Sequence, residues 1–243
     1  MQYSLAPMLD ISKIRAISLD LDDTLWPIWP LIGRAEKALA AWLTLEAPGA
    51  AAVFGDPKAR LQVRQHVEMT QPHISHDMSA MRRESIRHAV QQAGENTELA
   101  ETAFEIFFAD RMRVDLYDDV LPALSFLAAR WPVVALSNGN ADLVRVGLGD
   151  YFVGGLSASL FGVGKPDARI FHAAASSVGV AAHEVLHIGD DAALDVIGGL
   201  GAGMQTVWLN REQHDWTHDA QPHLTVTTLT DLCNLLQAVP PRA

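Results

Sequence analysis

The chain has 243 residues, 49% of them apolar, a formal charge of −11 and one cysteine. That length and apolar fraction suffice for one large core, or for a core carrying a smaller inserted unit, and no low-complexity run signals disorder. The acidic balance excludes a general nucleic-acid backbone binder, and the single Cys233 excludes an internal disulfide; with no apolar leader and no apolar run of membrane-spanning length, a soluble cytoplasmic protein is expected.

Residues 14–19 form a short apolar run ending at Asp20, the pattern of a buried parallel strand. From about residue 30 to 113 the character changes. Helical spacing recurs over 33–45, 58–69, 79–93 and 98–110, with Pro/Gly loops at 47–49 and 71–73 and no convincing strand. A helix over 119–130 follows, tolerating Pro122 in its first turn, then a strand over 133–136 ending at Ser137. Further on come a helix over 168–178, a strand over 185–188 closed by Gly189 and Asp190, a helix over 191–199 and a strand over 205–209. Strands alternating with helices predict an α/β fold with a parallel sheet covered on both faces, interrupted after its first strand by an all-helical insertion. The expected division is a core of residues 1–29 and 114–243 and a helical domain of residues 30–113. Cys233 lies in an apolar helical pattern with Leu232, Leu235 and Leu236, which predicts a buried core thiol.

In such sheets ligands gather beyond the carboxyl ends of the strands, and three strands here deliver polar residues to that edge. The first ends in Asp20-Leu21-Asp22-Asp23-Thr24. Past the strand end the chain can wind so that Asp20 and Asp22 face one cavity, although a solvated turn also uses these residue types. Ser137-Asn138-Gly139 supplies a hydroxyl and turn amides suited to phosphate oxygens. Gly164-Lys165-Pro166-Asp167 places a cation before a helix, and Gly189-Asp190-Asp191 adds carboxylates, with Asp195 one turn on. Carboxylates crowded at one edge repel unless a cation sits among them. Oxygen donors without a Cys/His cluster favour Mg²⁺ over zinc.

These four segments, in this order, resemble the motifs of the haloacid dehalogenase-like (HAD) superfamily. The resemblance implies a Rossmann-like core with a helical cap inserted after the first strand. It also implies roles: Asp20 as nucleophile and metal ligand, and Asp22 as general acid/base with its main-chain carbonyl on the metal. Ser137, Asn138 and Lys165 would hold the phosphoryl group, and Asp190 would complete the protein's Mg²⁺ ligands, with Thr24 and Asp195 in support. The implied activity is a Mg²⁺-dependent phosphatase that passes through an aspartyl-phosphate.

Longer stretches, among them Asp22-Asp23-Thr24-Leu25-Trp26, Pro72-His73-Ile74-Ser75-His76-Asp77 and His187-Ile188-Gly189-Asp190-Asp191, resemble the bacterial HAD phosphatases of riboflavin metabolism. That likeness implies a small phosphorylated metabolite as partner, such as FMN or 5-amino-6-(5-phosphoribitylamino)uracil, with no nucleic acid and no membrane. Oligomeric state is left open. Trp26 and Trp29 are expected to pack rather than stack on substrate, and His73, His76 and Arg82 are weak candidates for substrate contact. The glycines at 199, 201 and 203 precede a strand, the wrong context for a dinucleotide loop. Among competing readings, a 2-haloacid dehalogenase normally lacks an acid at the Asp22 position. A phosphoglucomutase-like phosphotransferase and a non-catalytic phospholigand-binding protein remain as alternatives.

Overall fold

The computed structural model describes residues 8–237. In chain order the elements are β1 (Ala16–Leu19), α1 (Ile28–Glu46), α2 (Pro48–Gly55), α3 (Pro57–Thr70), α4 (Met78–Gln92), α5 (Leu99–Arg111) and α6 (Val120–Ala128). They continue with β2 (Val133–Ser137), β3 (Gly154–Ser157), α7 (Ala158–Phe161), α8 (Ala168–Ser177), β4 (Val185–Gly189), α9 (Gly198–Gly201), β5 (Gln205–Leu209), β6 (Leu224–Val226) and α10 (Leu229–Gln237). All six strands form one parallel sheet in the order β3-β2-β1-β4-β5-β6, a Rossmann-like arrangement.

β1, β2, β4 and β5 are buried along their whole length, so their sequences read as continuous apolar runs rather than as alternation. β3 and β6 are short, partly exposed edge strands, and β3 opens on two glycines; this is why no apolar run announces them. β1 is central, with Leu19 opposite both Ala135 and Ile188. The strand order reverses between β1 and β4, so Asp20 and Asp190 emerge at the switch point where such sheets bind ligands.

Ile170, Phe171, Ala174 and Ala175 on one stripe of α8 pack onto Ala16, Val134, Leu136 and Val185 of the sheet. Cys233 is buried in α10 as expected, and burial pushes its thiol up to about 11. No helix of the described residues is long and apolar enough to cross a membrane.

The described residues form two compact units. One runs to Trp26 and includes Leu116–Gly139 and the chain from Gly147 on; the other is Pro27–Asp115 with Asn140–Val146. In the second, α1 to α5 bury Leu39, Leu43, Phe54, Val63, Ile86, Val90, Phe104 and Phe107 in one apolar cluster. Of residues 47–49, expected as a loop, only Ala47 separates the helices, and Pro48 and Gly49 start α2. Pro48 is compatible with a first helical turn, and the Glu95 carboxylate accepts from Gly49 N–H at 2.7 Å and Ala50 N–H at 3.0 Å, capping the end. A Cβ at Gly49 would lie 2.7 Å from Ala93 Cβ, so only glycine admits that approach.

The two tryptophans part ways. Trp26 is fully buried, as expected, whereas Trp29 is exposed at 77%, against the packing expectation, because its position in the first turn of α1 points away from the buried stripe of Leu31, Ala35 and Leu39.

Candidate active site

Asp20 leaves β1 with its N–H bonded to Ile188 O at 2.9 Å, which fixes it level with the end of β4. The turn that follows is tight. Asp23 N–H bonds Trp26 O at 2.8 Å, Leu25 N–H bonds Leu21 O at 2.8 Å, and Asp23 adopts φ +57°, a left-handed conformation that Asp tolerates better than most residues. The buried Trp26 donates its indole N–H to Asp22 Oδ1 at 2.9 Å.

Lys165 is the hub. Its Nζ lies 2.6 Å from Asp20 Oδ1 and 2.5 Å from Asp195 Oδ1, with all three side chains nearly inaccessible. Asp195 reaches this position from a π-helical turn, Ala192–Ile197, that Asp191 caps through the N–H groups of Ala193 and Leu194. Thr24 Oγ1 donates to Asp190 Oδ1 at 2.8 Å, and Trp208 Nε1 to the Asp190 carbonyl at 2.8 Å, so Asp190 is held at both ends. Ligand atoms of Asp20, Asp190 and Asp195 lie within 4.8 Å of one another.

Three carboxylates face one ammonium, and their proton affinities separate accordingly. Burial raises Asp20 well above the usual carboxylate range, reinforced by Asp195 and Asp190 and opposed by Lys165. Burial and the Asp195 charge lift Asp190 to about 7. Burial works against the charged form of Asp195 too, but the Lys165 ammonium and the His187 hydrogen bond outweigh it and hold the carboxyl at about 2. Burial disfavours the Lys165 ammonium, yet Asp195 and Asp20 together raise its pKa. The site therefore carries excess buried negative charge, and its all-oxygen donor set fits a hard divalent cation.

On the other side of Asp20, Ser137 ends β2 and its Oγ accepts from Gly139 N–H at 2.9 Å. The Asn138 side chain is engaged elsewhere: Nδ2 donates to Lys165 O at 2.8 Å and Oδ1 accepts from Lys165 N–H at 2.7 Å. Asp22 does not join the cluster of Asp20, Asp190 and Asp195; its Oδ2 faces Gly139, where a Cβ would sit 2.3 Å away. Of the weaker candidates, Arg82 is occupied by Glu36 at 2.7 Å and lies over the Phe107 ring, while His73 is exposed and His76 half-buried.

Two further residues shape the site. Arg211, after β5, directs Nη2 to the Thr24 carbonyl at 3.0 Å and to Asp119 Oδ1 at 3.0 Å, tying down the turn that carries Asp20 and Asp22. His187, within β4, bonds Asp195 Oδ1 through Nε2 at 3.0 Å. Only the second leaves a trace in sequence, as a lone histidine inside an otherwise apolar strand.

The family model of haloacid dehalogenase-like hydrolases matches residues 14–203. A relative from Escherichia coli (strain K12), 5-amino-6-(5-phospho-D-ribitylamino)uracil phosphatase YigB, is 36% identical over 93% of this chain and 98% of its own. A phosphoserine phosphatase from Thermus thermophilus is 35% identical over 60% of this chain and 61% of its own. Among solved structures, a 2-haloacid dehalogenase from Pseudomonas syringae pv. Tomato DC3000 superposes with a TM-score of 0.88 at 35% identity, covering 93% of this chain and 99% of that one.

Proposed function

Since this chain belongs to the haloacid dehalogenase-like hydrolases and is a phosphoric monoester hydrolase, we propose that it is a Mg²⁺-dependent phosphatase in which Asp20 is the nucleophile. The observation that carries this reading is the Lys165 ammonium set 2.6 Å from Asp20, beside the buried Asp195 and the partly buried Asp190.

An Asp20 carboxylate oxygen forms a bond to phosphorus as the ester P–O bond breaks, and Asp22 gives its proton to the departing oxygen. Asp22 then takes a proton from water, whose oxygen attacks the aspartyl-phosphate at phosphorus and releases Asp20 and inorganic phosphate. Lys165, the Ser137 hydroxyl and main-chain amides at Asn138–Gly139 neutralise and orient the phosphoryl oxygens. Asp20 and Asp190, with the main-chain carbonyl of Asp22, would hold Mg²⁺, which when bound supplies charge neutralisation for the transferring group. Asp195 supports this set through Lys165, and Thr24 through Asp190.

The substrate in this reading is a small phosphorylated metabolite of riboflavin metabolism, 5-amino-6-(5-phosphoribitylamino)uracil or FMN, supported by similarity over nearly the whole chain to the E. coli phosphatase. A catalytic core of residues 1–29 and 114–243, a cap of residues 30–113 that selects the substrate, and a cytoplasmic location belong to the same proposal.

The similarity to a P. syringae 2-haloacid dehalogenase favours a second reading, nucleophilic displacement of halide by Asp20. Asp22 and the carboxylate cluster weigh against it, because halide displacement needs neither a leaving-group acid nor a cation. Phosphate release should be assayed on both riboflavin-related phosphates, common sugar phosphates and an aryl phosphate, alongside chloride release from 2-chloropropionate. Phosphate release that chelator and Asp20→Asn both abolish supports the phosphatase; halide release without phosphate release refutes it.

A further inference from the structure

His187 and Ser18 are register partners on the adjacent strands β4 and β1. The imidazole is completely buried, edge-on to Phe171 at 5.0 Å between centroids. Its Nδ1 lies 3.0 Å from Ser18 Oγ and its Nε2 3.0 Å from Asp195 Oδ1.

The direction of these bonds follows from chemistry. An ionised carboxylate only accepts, so Nε2 carries the proton; in a neutral ring Nδ1 then accepts from the Ser18 hydroxyl. Burial keeps the ring neutral by lowering its pKa. Asp195 thus receives three donors: Lys165 Nζ and His187 Nε2 on Oδ1, and the Asp191 N–H on Oδ2 at 3.0 Å. Both carboxylate oxygens are fixed, and Lys165 spans from this fixed point to Asp20.

We propose that His187 is a positioning residue for Lys165: its Nε2–H locks Asp195 so that the ammonium stays at Asp20 where the phosphoryl group is received. Ser18 sets the ring's tautomer. The proposal rests on the phosphatase reading above.

Three variants separate positioning from packing. His187→Gln keeps an N–H near the Nε2 position, His187→Asn keeps a polar group near Ser18 but falls short of Asp195, and His187→Phe fills the volume with no donor. Each is measured for kcat and KM on an aryl phosphate, for inhibition by inorganic phosphate, and for melting temperature. Loss of a hydrogen-bonding partner behind such a site costs roughly 10–100-fold. We expect Asn and Phe to lower kcat/KM by that factor and to weaken phosphate inhibition, with Gln recovering most of both even though its melting temperature falls as far as that of Asn. Gln as impaired as Asn, or all three unchanged in kinetics, overturns the proposal. Wild-type protein without turnover, or turnover that survives Asp20→Asn, refutes the phosphatase reading instead and removes the ground for this one.

Discussion

The side-chain amide of Asn138 and the main chain of Lys165 bond reciprocally, donating to the Lys165 carbonyl and accepting from its N–H at 2.8 and 2.7 Å. The pairing needs Gly164, where a Cβ would come within 2.5 Å of Asn138 Oδ1. Lys165 is therefore anchored at both ends, by Asn138 at the main chain and by Asp195 and Asp20 at the ammonium. Asn138→Ala removes both main-chain bonds and should lower stability by about 1–3 kcal/mol. It should also lower kcat/KM by on the order of tenfold or more through loss of Lys165 alignment. Urea denaturation and steady-state kinetics check this, with Asn138→Asp, which keeps only the acceptor, falling between.

Two glycine substitutions should behave differently. A Cβ at Gly139 meets the Asp22 carboxylate at 2.3 Å, the end of a partly buried side chain that the Trp26 indole N–H holds. Gly139→Ala should therefore cut kcat, with a smaller fall in melting temperature than Gly189→Ala. A Cβ at Gly189 meets Asp195 Cγ at 2.2 Å, and Asp195 is locked by Lys165, His187 and Asp191. Gly189→Ala should cost both activity and about 2 kcal/mol or more of stability. Equal stability losses in the two variants would contradict the described packing.

Arg211 forks between the Thr24 carbonyl and Asp119, which also accepts from Leu229 N–H at 2.7 Å. Truncation leaves Asp119 and the Thr24 carbonyl short of a partner in a largely buried setting. Arg211→Ala should destabilise by about 2–3 kcal/mol and lower kcat. Arg211→Lys should recover only part of each, since an ammonium does not reproduce the fork. Thermal unfolding and kinetics of the two variants provide the check.

Metal binding should depend on pH in a defined direction. Burial and the Asp195 charge raise Asp190 from 3.8 to about 7 in the folded protein. A raised carboxyl binds protons more tightly folded than unfolded, so its contribution to stability is full below the unfolded value and lost as pH rises through about 7. A divalent cation held by Asp20 and Asp190 would supply positive charge there and favour loss of that proton. The Mg²⁺-induced rise in melting temperature should be larger near pH 8 than near pH 5, and binding at about pH 6 should release protons, seen by calorimetry in buffers of different ionisation enthalpy. Asp190→Asn should flatten both effects.

Much of this arrangement was legible in the residues. The buried strands β1, β2, β4 and β5 announce themselves because strands covered on both faces are continuous apolar runs. The motif residues Asp20, Ser137 and Asp190 follow from what such strands deliver at their ends, and Lys165 from its Gly-Lys-Pro segment before α8. Edge strands β3 and β6 were not legible, since half-exposed segments such as Gly154–Ser157 lack that signature. Nor was α2, whose start depends on Glu95 more than forty residues away. Side-chain assignments within the site depend on three-dimensional competition for partners. The pairing of the Asn138 side-chain amide with the Lys165 main chain left no trace in the sequence, and Arg211 could not be distinguished from any surface arginine before the Thr24 carbonyl was placed beside it.

If Asp20 is the nucleophile, it carries the phosphoryl group during turnover. Protein turning over an aryl phosphate with Mg²⁺, quenched in acid and digested, should yield the Asp20-containing peptide heavier by one phosphoryl group, with no such species from Asp20→Asn protein. A phosphoryl group mapped to another side chain, or turnover undiminished in Asp20→Asn, would contradict the account.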